Sequence, residues 1–389
     1  MNIEKKQTIA WIILTIAVIL VSMAACRVDK VPLVSDKGSH YERATVVKIL
    51  KDNVAEDGKR YGSQTVEVKM QSGNFKNKVL TATSPSSMMF GANCEVGMRV
   101  IVIVNNSEGN TIATVYAQNR QLAIFSFLLL FCIAVCAIGG WKGAKALIGL
   151  VFTFVSIFFF MFPMMYRGFS PIALAILVSL FSTFVSLTLL GGFTRKTLSA
   201  VIGTTFGVAA AGAAAMLFGH GAGISGYNVS NIDSLLYLEA ATPVKIGQLL
   251  FAGIIISALG AVMDVGMSIS STIEEIHATD PSLGRARLFA SGINVGKDMM
   301  GTMINTLILA FAGGSLSTLL LNYAYDLSYN QLMNGYIIGI EIMQGIAGSL
   351  GVVLTVPLTA AVSSFLIARK AEKSDGANAA DGLAAADEQ

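Results

Sequence analysis

Charge is scarce in this sequence. Asp, Glu, Lys and Arg make up 13% of the 389 residues, against 54% for the hydrophobic types. Soluble domains carry about 25% charged residues, so this is a membrane composition. A net charge of +3 leaves no basic footprint, and no nucleic-acid partner is expected. Histidine and cysteine are equally thin. His40, His220 and His277 lie far apart, and Cys26, Cys94, Cys132 and Cys136 form no C-x-x-C pair, so no metal site is expected. Cys132 and Cys136 stand one helical turn apart in an apolar run and read as small packing side chains. The chain has no His-Glu-x-x-His, no Gly-x-Ser-x-Gly and no paired membrane aspartates. Nothing therefore supplies a nucleophile or a hydrolytic metal, and neither enzyme activity nor a cofactor is expected. No P-loop is present, so ATP would have to be used by a partner.

What the sequence does have is apolar length. Residues 1–7 are short and basic through Lys5 and Lys6, and residues 8–25 form an unbroken apolar run long enough to span a membrane. Residues 1–27 read as an uncleaved anchor. The alternative is a lipoprotein signal peptide, because Met23-Ala24-Ala25-Cys26 loosely resembles a lipobox and would make Cys26 a lipidation site. Residues 28–119 change character, with β-rich runs at 44–50, 64–70, 78–83, 99–104 and 111–117. Gly58, Gly62, Gly73, Gly97 and Gly109 punctuate them. Val66, Val68 and Met70 alternate with Glu67 and Lys69, the pattern of a half-buried strand. This predicts a small all-β domain, a partly open barrel, with His40 ahead of its first strand. It carries no nucleophile–base set, so its expected role is binding or scaffolding.

From Arg120 onward the chain is almost wholly apolar. Spans are expected at 121–138, 147–165, 171–190, 198–219, 246–266, 299–321 and 337–367, each about 20 residues or more. Residues 120–370 are thus a seven-span bundle, and the anchor brings the total to about eight. Glu341 and Pro357 in the last window predict that it tilts, kinks or starts outside the hydrocarbon. Residues 371–389 are rich in Ala, Asp, Glu and Gly and read as a disordered tail. The fold class is a polytopic α-helical membrane protein with a small extracytoplasmic all-β domain between spans 1 and 2.

Orientation follows from the basic residues. Lys5, Lys6, Lys142, Lys145, Arg195, Lys196, Arg285, Arg287, Lys297, Arg369, Lys370 and Lys373 fall on one side, and only Arg167 and Lys245 in the short loops of the other. The positive-inside rule puts both termini in the cytoplasm and the β domain outside. Gly203, Gly207, Ala211 and Ala215 repeat every four residues, as do Gly253, Ser257 and Ala261; both patterns read as seams for close helix packing. His220 falls in a Gly-rich outer turn and His277 in the cytoplasmic connector, neither with ligand company.

Residues 247–313 hold the polar groups. Asp264, Ser268, Ser271 and Glu275 follow one helix face, and Asn294, Lys297, Gly301 and Asn305 follow another. Ionisable groups at membrane depth must face protein or water. The candidate ion-coupling or polar-seam residues are Asp264, Ser268, Ser271, Lys297, Asp298, Thr302 and Asn305. A structural reading stands beside this one: Asp264 or Asp298 pairs with Lys297 at the cytoplasmic rim, where charges snorkel to water.

These stretches resemble a known family. GGWKGAKALIGLVFTFVSIFFFMFP (139–163), GFTRKTLSAVIGTTFGVAAAG (192–212), LFAGIIISALGAVMDVGMSISSTIEEI (250–276), INVGKDMMGTMINTLILAFAG (293–313) and GSLGVVLTVPLTA (348–360) are similar to the YibE/F family of bacterial multi-pass membrane proteins. The likeness runs from Tyr41 to about Lys370, with Asn77 standing where the family often has glycine. It implies identity and topology, not chemistry. A weaker similarity is to half of an RND-type permease and to the export accessory SecD/SecF, which carry a membrane Asp, a charged connector and a Thr/Asn-bearing helix. Two additional spans break that match. The expected function is a secondary transporter or export component of unnamed substrate. The alternative is a non-transporting scaffold whose β domain binds a partner or envelope component. Expected partners are the lipid bilayer, an unidentified small molecule, ion or envelope component, and a second copy of the chain.

Overall fold

The computed structural model describes residues 28, 39–54, 60–85, 91–107, 110–229 and 231–386, with side chains through Ala368 in the last helix. The expected anchor and Cys26 lie outside the described residues. The chain divides into two compact units, one of residues 32–137 and one of residues 138–389 with 1–31.

Among the described residues the first unit contains five strands, β1 (Ser39–Lys51), β2 (Ser63–Met70), β3 (Val79–Pro85), β4 (Arg99–Ser107) and β5 (Asn110–Gln118). They close a barrel in the order β1-β2-β3-β5-β4. All neighbours are antiparallel except β3 and β5, the arrangement of an OB-fold. Alternation drives it: Val66, Val68, Met70, Val100, Val102 and Val104 point inward and are buried, while Glu67, Lys69 and Arg99 point out. β1 pairs with both β2 and β4, and two register shifts in its pairing with β2 bend it around the barrel. β1 begins at Ser39, so His40 lies inside the first strand rather than ahead of it. In the turn after β2, Asn77 adopts φ 67°. Asparagine tolerates that left-handed conformation better than other non-glycine residues, so the turn forms where the family often has glycine.

Among the described residues nine α-helices follow: α1 (Gln121–Tyr166, with a π-helical stretch at Ile157–Met161), α2 (Pro171–Gly191), α3 (Arg195–Ala222), α4 (Ile232–Ala241), α5 (Leu249–Thr279), α6 (Arg285–Gly314), α7 (Leu316–Ala324), α8 (Tyr329–Met333) and α9 (Tyr336–Ala386). Among the described residues five helical segments are long and apolar enough to cross a membrane, and six if α6 and α7, bent by 62°, count as one. Caps mark the boundaries. Ser170 accepts from the Ala173 N–H ahead of Pro171, Thr194 caps α3, and Gly223 ends α3 at φ 65°. α3, α5, α6 and α9 pack around a shared core that includes Val208, Val262, Ile269, Ile273, Leu288, Val352, Val356 and Ala360.

Several sequence expectations shift. α5 continues to Thr279, about four turns beyond Asp264, so Asp264 is mid-helix and His277 lies in the last helical turn. His220 likewise belongs to the end of α3. The span read as 299–321 begins at Arg285. α9 runs on to Ala386, through a stretch whose composition reads as disordered; alanine is the strongest helix former. The α3 seam packs as expected, with Gly203, Gly207, Ala211 and Ala215 all buried. The other does not: Gly253 and Ser257 are exposed, and a Cβ built on Gly253 would meet nothing within 4 Å.

A polar face on helices α5 and α6

Glycines set how α5 and α6 lie together. A Cβ on Gly292 would come 2.7 Å from Ile273 Cδ1 and 3.0 Å from Ala360 Cβ, and one on Gly296 would stand 3.2 Å from Ile269 Cδ1. Only glycine admits this approach of α6 to α5 and α9. The pairs Gly292–Ile273 and Gly296–Ile269 define an antiparallel register. Carried along both helices, it sets Lys297 level with Ser268, Asp264 with Gly301, and Asn305 with Gly260. Lys297 therefore stands about one turn, roughly 5–6 Å, closer to the α5–α6 connector than Asp264 does.

The buried sides of both helices point to the core, so the polar side of each points away from it. Asp264, Lys297, Asp298, Thr302 and Asn305 are exposed, and Ser268 and Ser271 half-buried. The groups share one outward surface. Among the described residues no ion pair within 4.0 Å joins Asp264 or Asp298 to Lys297; the two pairs are Arg60–Asp52 and Lys196–Glu274. Helical side chains lean toward the helix N-terminus, and in antiparallel helices Asp264 and Lys297 therefore lean apart. Thr302 and Thr306 donate locally to the carbonyls of Met299 and Thr302 at 2.8 and 2.9 Å. Gly253, Ser257 and Gly260 continue the α5 face above Asp264 and are exposed as well.

The enclosed polar cluster is one that the sequence reading passed over. Ser199 of α3, Ser270 of α5 and Ser363 of α9 are buried, and their hydroxyls lie 2.6, 2.9 and 3.1 Å apart. The Lys196 carbonyl accepts from both Ser199 and Ser270. Beside this knot Lys196 pairs with Glu274 at 2.7 Å. Thr355, Thr359 and Ser363 recur every fourth residue on α9 and are buried, and that period was the available signal. Ser268 and Ser271 share the face of Asp264, whereas Ser270 between them turns inward. In the connector, hydrogen bonds from the Ser282 hydroxyl and N–H hold the Asp280 carboxyl below its usual range.

The barrel holds a separate polar group. Asp52 accepts from Gln64 Nε2 and from Arg60, each at 2.8 Å, and from the Asn53 N–H. These bonds, Gln64 first, lower its pKa. A cleft of about 300 Å³ is lined by Pro85, Ile103, Asn105, Ile112, Thr114, Val115 and Tyr116. Tyr41 meets Tyr116 edge to face at 5.2 Å. Among the described residues no three His, Cys, Asp or Glu side chains gather to hold a metal.

No curated protein and no solved structure shows a significant match to this chain. A family model described as YibE/F-like protein matches residues 127–369, well over half of the sequence and all of the α5–α6 hairpin. The chain belongs to the YibE/F-like protein family.

Proposed function

We propose that this is a multi-pass protein of the bacterial cell membrane that acts as a secondary transporter or export component, with the α5–α6 face as its coupling surface. The supporting observation is that, among the described residues, Asp264, Lys297 and Asp298 stand without an ion pair on helices of membrane-spanning character. A charged residue at a helix centre in a bilayer costs about 2.5–3.5 kcal/mol on insertion scales. A structural ion pair would offset part of that cost, and the geometry argues against one here. Ionisable groups kept at such expense mark ion or substrate paths by default.

The topology that goes with this reading has eight spans. Gly140, at φ 52° and ψ −133°, interrupts α1, a conformation that suits only glycine. The helix then counts as two spans, which with five others (α2, α3, α5, α9 and the α6–α7 pair taken as one) and the anchor give the eight crossings. Both termini are cytoplasmic, and the barrel lies outside.

Asp264→Asn tests the coupling role. It keeps shape and hydrogen bonding but removes titration. It should abolish a transport-linked phenotype, such as altered tolerance to a toxic compound on overexpression, at unchanged protein level and membrane insertion. Neutralising Asp264 and Lys297 together should not restore it, because the two are not paired. Full activity of Asp264→Asn would remove the coupling role.

A second reading, the scaffold, is favoured by the barrel. Its cleft joins apolar Ile103, Ile112 and Val115 to the Tyr41–Tyr116 pair, a surface suited to a partner or envelope component. Retained phenotype in Asp264→Asn, with loss in Tyr116→Ala at unchanged protein level, would favour it.

A further inference from the structure

We propose that the outward face of α5 and α6 is the docking surface for a second copy of this chain, with Asp264 of each copy seated over Gly301 of the other. The inference rests on these helices spanning a membrane and does not require that the protein transports.

The face is built for close approach. A Cβ on Gly253, Gly260 or Gly301 would meet nothing within 4 Å, so the notches at these positions are unfilled by the described side chains. Gly253, Ser257, Gly260 and Asp264 lie on one side of α5 at spacings of four, three and four, a stripe of small residues ending in a carboxylate. Helices in lipid associate through such stripes, reinforced by polar groups between them.

The occupant is set by charge. It must bring a cation and an amide near the level of Asp264, and a carboxylate near Lys297. The chain's remaining apolar stretches, residues 8–25 and 122–137, carry no charged or amide side chain and cannot do so. A second copy can. A two-fold interface sets the same patch against itself, and with its axis along the membrane normal every residue keeps its depth. α5 of one copy then faces α6 of the other in the register already seen within the chain. Asp264 enters the notch at Gly301, between Lys297 one turn to one side and Asn305 one turn to the other, and Asn305 meets the notch at Gly260. The same contacts repeat across the axis. Within one copy these side chains project side by side from neighbouring helices; across the interface they face each other, with Asp264 and Asn305 leaning toward one another along the axis and Lys297 leaning toward the connector.

Two measurements on the full-length protein in phosphatidylethanolamine–phosphatidylglycerol liposomes test this. The first counts photobleaching steps of labelled protein at low surface density. The wild type should bleach in two steps. Gly260→Phe and Gly301→Phe, which enter open space in the monomer, should shift the population to one step, lowering association by at least about tenfold. The second uses two differently tagged copies with their four native cysteines replaced. Gly260→Cys in one copy and Asn305→Cys in the other should form an intercopy disulfide, whereas a pair of Leu217→Cys copies, on the exposed side of α3, should not. Single-step bleaching of the wild type would overturn the proposal. So would a dimer whose disulfides form through Leu217→Cys but not through the α5–α6 pair, even if the phenylalanine variants misfold. A dimer whose Asp264→Asn form stays active overturns the coupling role alone; a monomer inactivated by Asp264→Asn overturns the interface alone.

Discussion

Gly207→Ala adds one methyl group at the tightest point between α3 and α9. The new Cβ would overlap Thr355 Oγ1 and lie 2.9 Å from both the Gly351 carbonyl oxygen and Val262 Cγ1. Thr355 cannot simply rotate away, because its hydroxyl donates to the Gly351 carbonyl at 2.7 Å. Breaking that bond costs about 0.5–1.5 kcal/mol, and overpacking a filled core costs about 1–3 kcal/mol. Alanine's better helix propensity returns about 1 kcal/mol. The net is a loss of roughly 0.5–3.5 kcal/mol, or a melting point lowered by about 1–14 °C on the scale of large domains. Gly221→Ala is the control on the same helix: its Cβ would meet nothing within 4 Å, so propensity alone acts and stability should hold or rise. The assay is thermal melting of the detergent-solubilised protein followed by fluorescence-detected gel filtration. A Gly207→Ala protein that melts within about 1 °C of wild type would refute the claim that α3 and α9 are held in contact by glycine.

Two further outcomes are expected. A cysteine at position 285 should be protected from an impermeant maleimide applied outside intact cells, whereas one at position 69 should react; labelling at 285 would overturn the orientation. Residues 28–119 expressed alone should fold, and their melting point should show the Asp52 contribution. Because its folded pKa is lowered, that contribution is fully present above about 3.9, the ordinary Asp value, and is lost as pH falls through the lower folded value. Asp52→Ala should weaken the melting point's fall over that acidic window, and an unchanged acid profile would remove Asp52 from the account.

Much of the architecture was legible because hydropathy and alternation are local signals. The five β-rich runs became five strands, since a period of two leaves Val66, Val68 and Met70 on one side whatever their partners. The apolar runs from residue 121 onward became helices because length and composition suffice to mark them. The α3 seam was readable for the same reason. The second small-residue stripe, Gly253 to Ala261, obeys the same rule, and yet α5 turns its Gly253 and Ser257 side outward. Periodicity states which residues share a face and not what that face meets.

The site divides along the same line. The sequence alone determined that Asp264 shares a helix face with Ser268 and Ser271, and Lys297 with Asn294 and Asn305, because helical spacing is intrinsic to one segment. It also determined the family and the apolar character of the bundle. Only the tertiary structure decided that these faces look away from the core, that Asp264 and Lys297 make no ion pair, and that Ser199, Ser270 and Ser363 meet instead. The choice depends on which helix flanks fit together. Gly292 and Gly296 let α6 press against Ile273, Ile269 and α9, and once those flanks are buried the polar flanks have nowhere to point but outward. Close packing among three helices is a property of all three sequences at once, and no single stretch carries it.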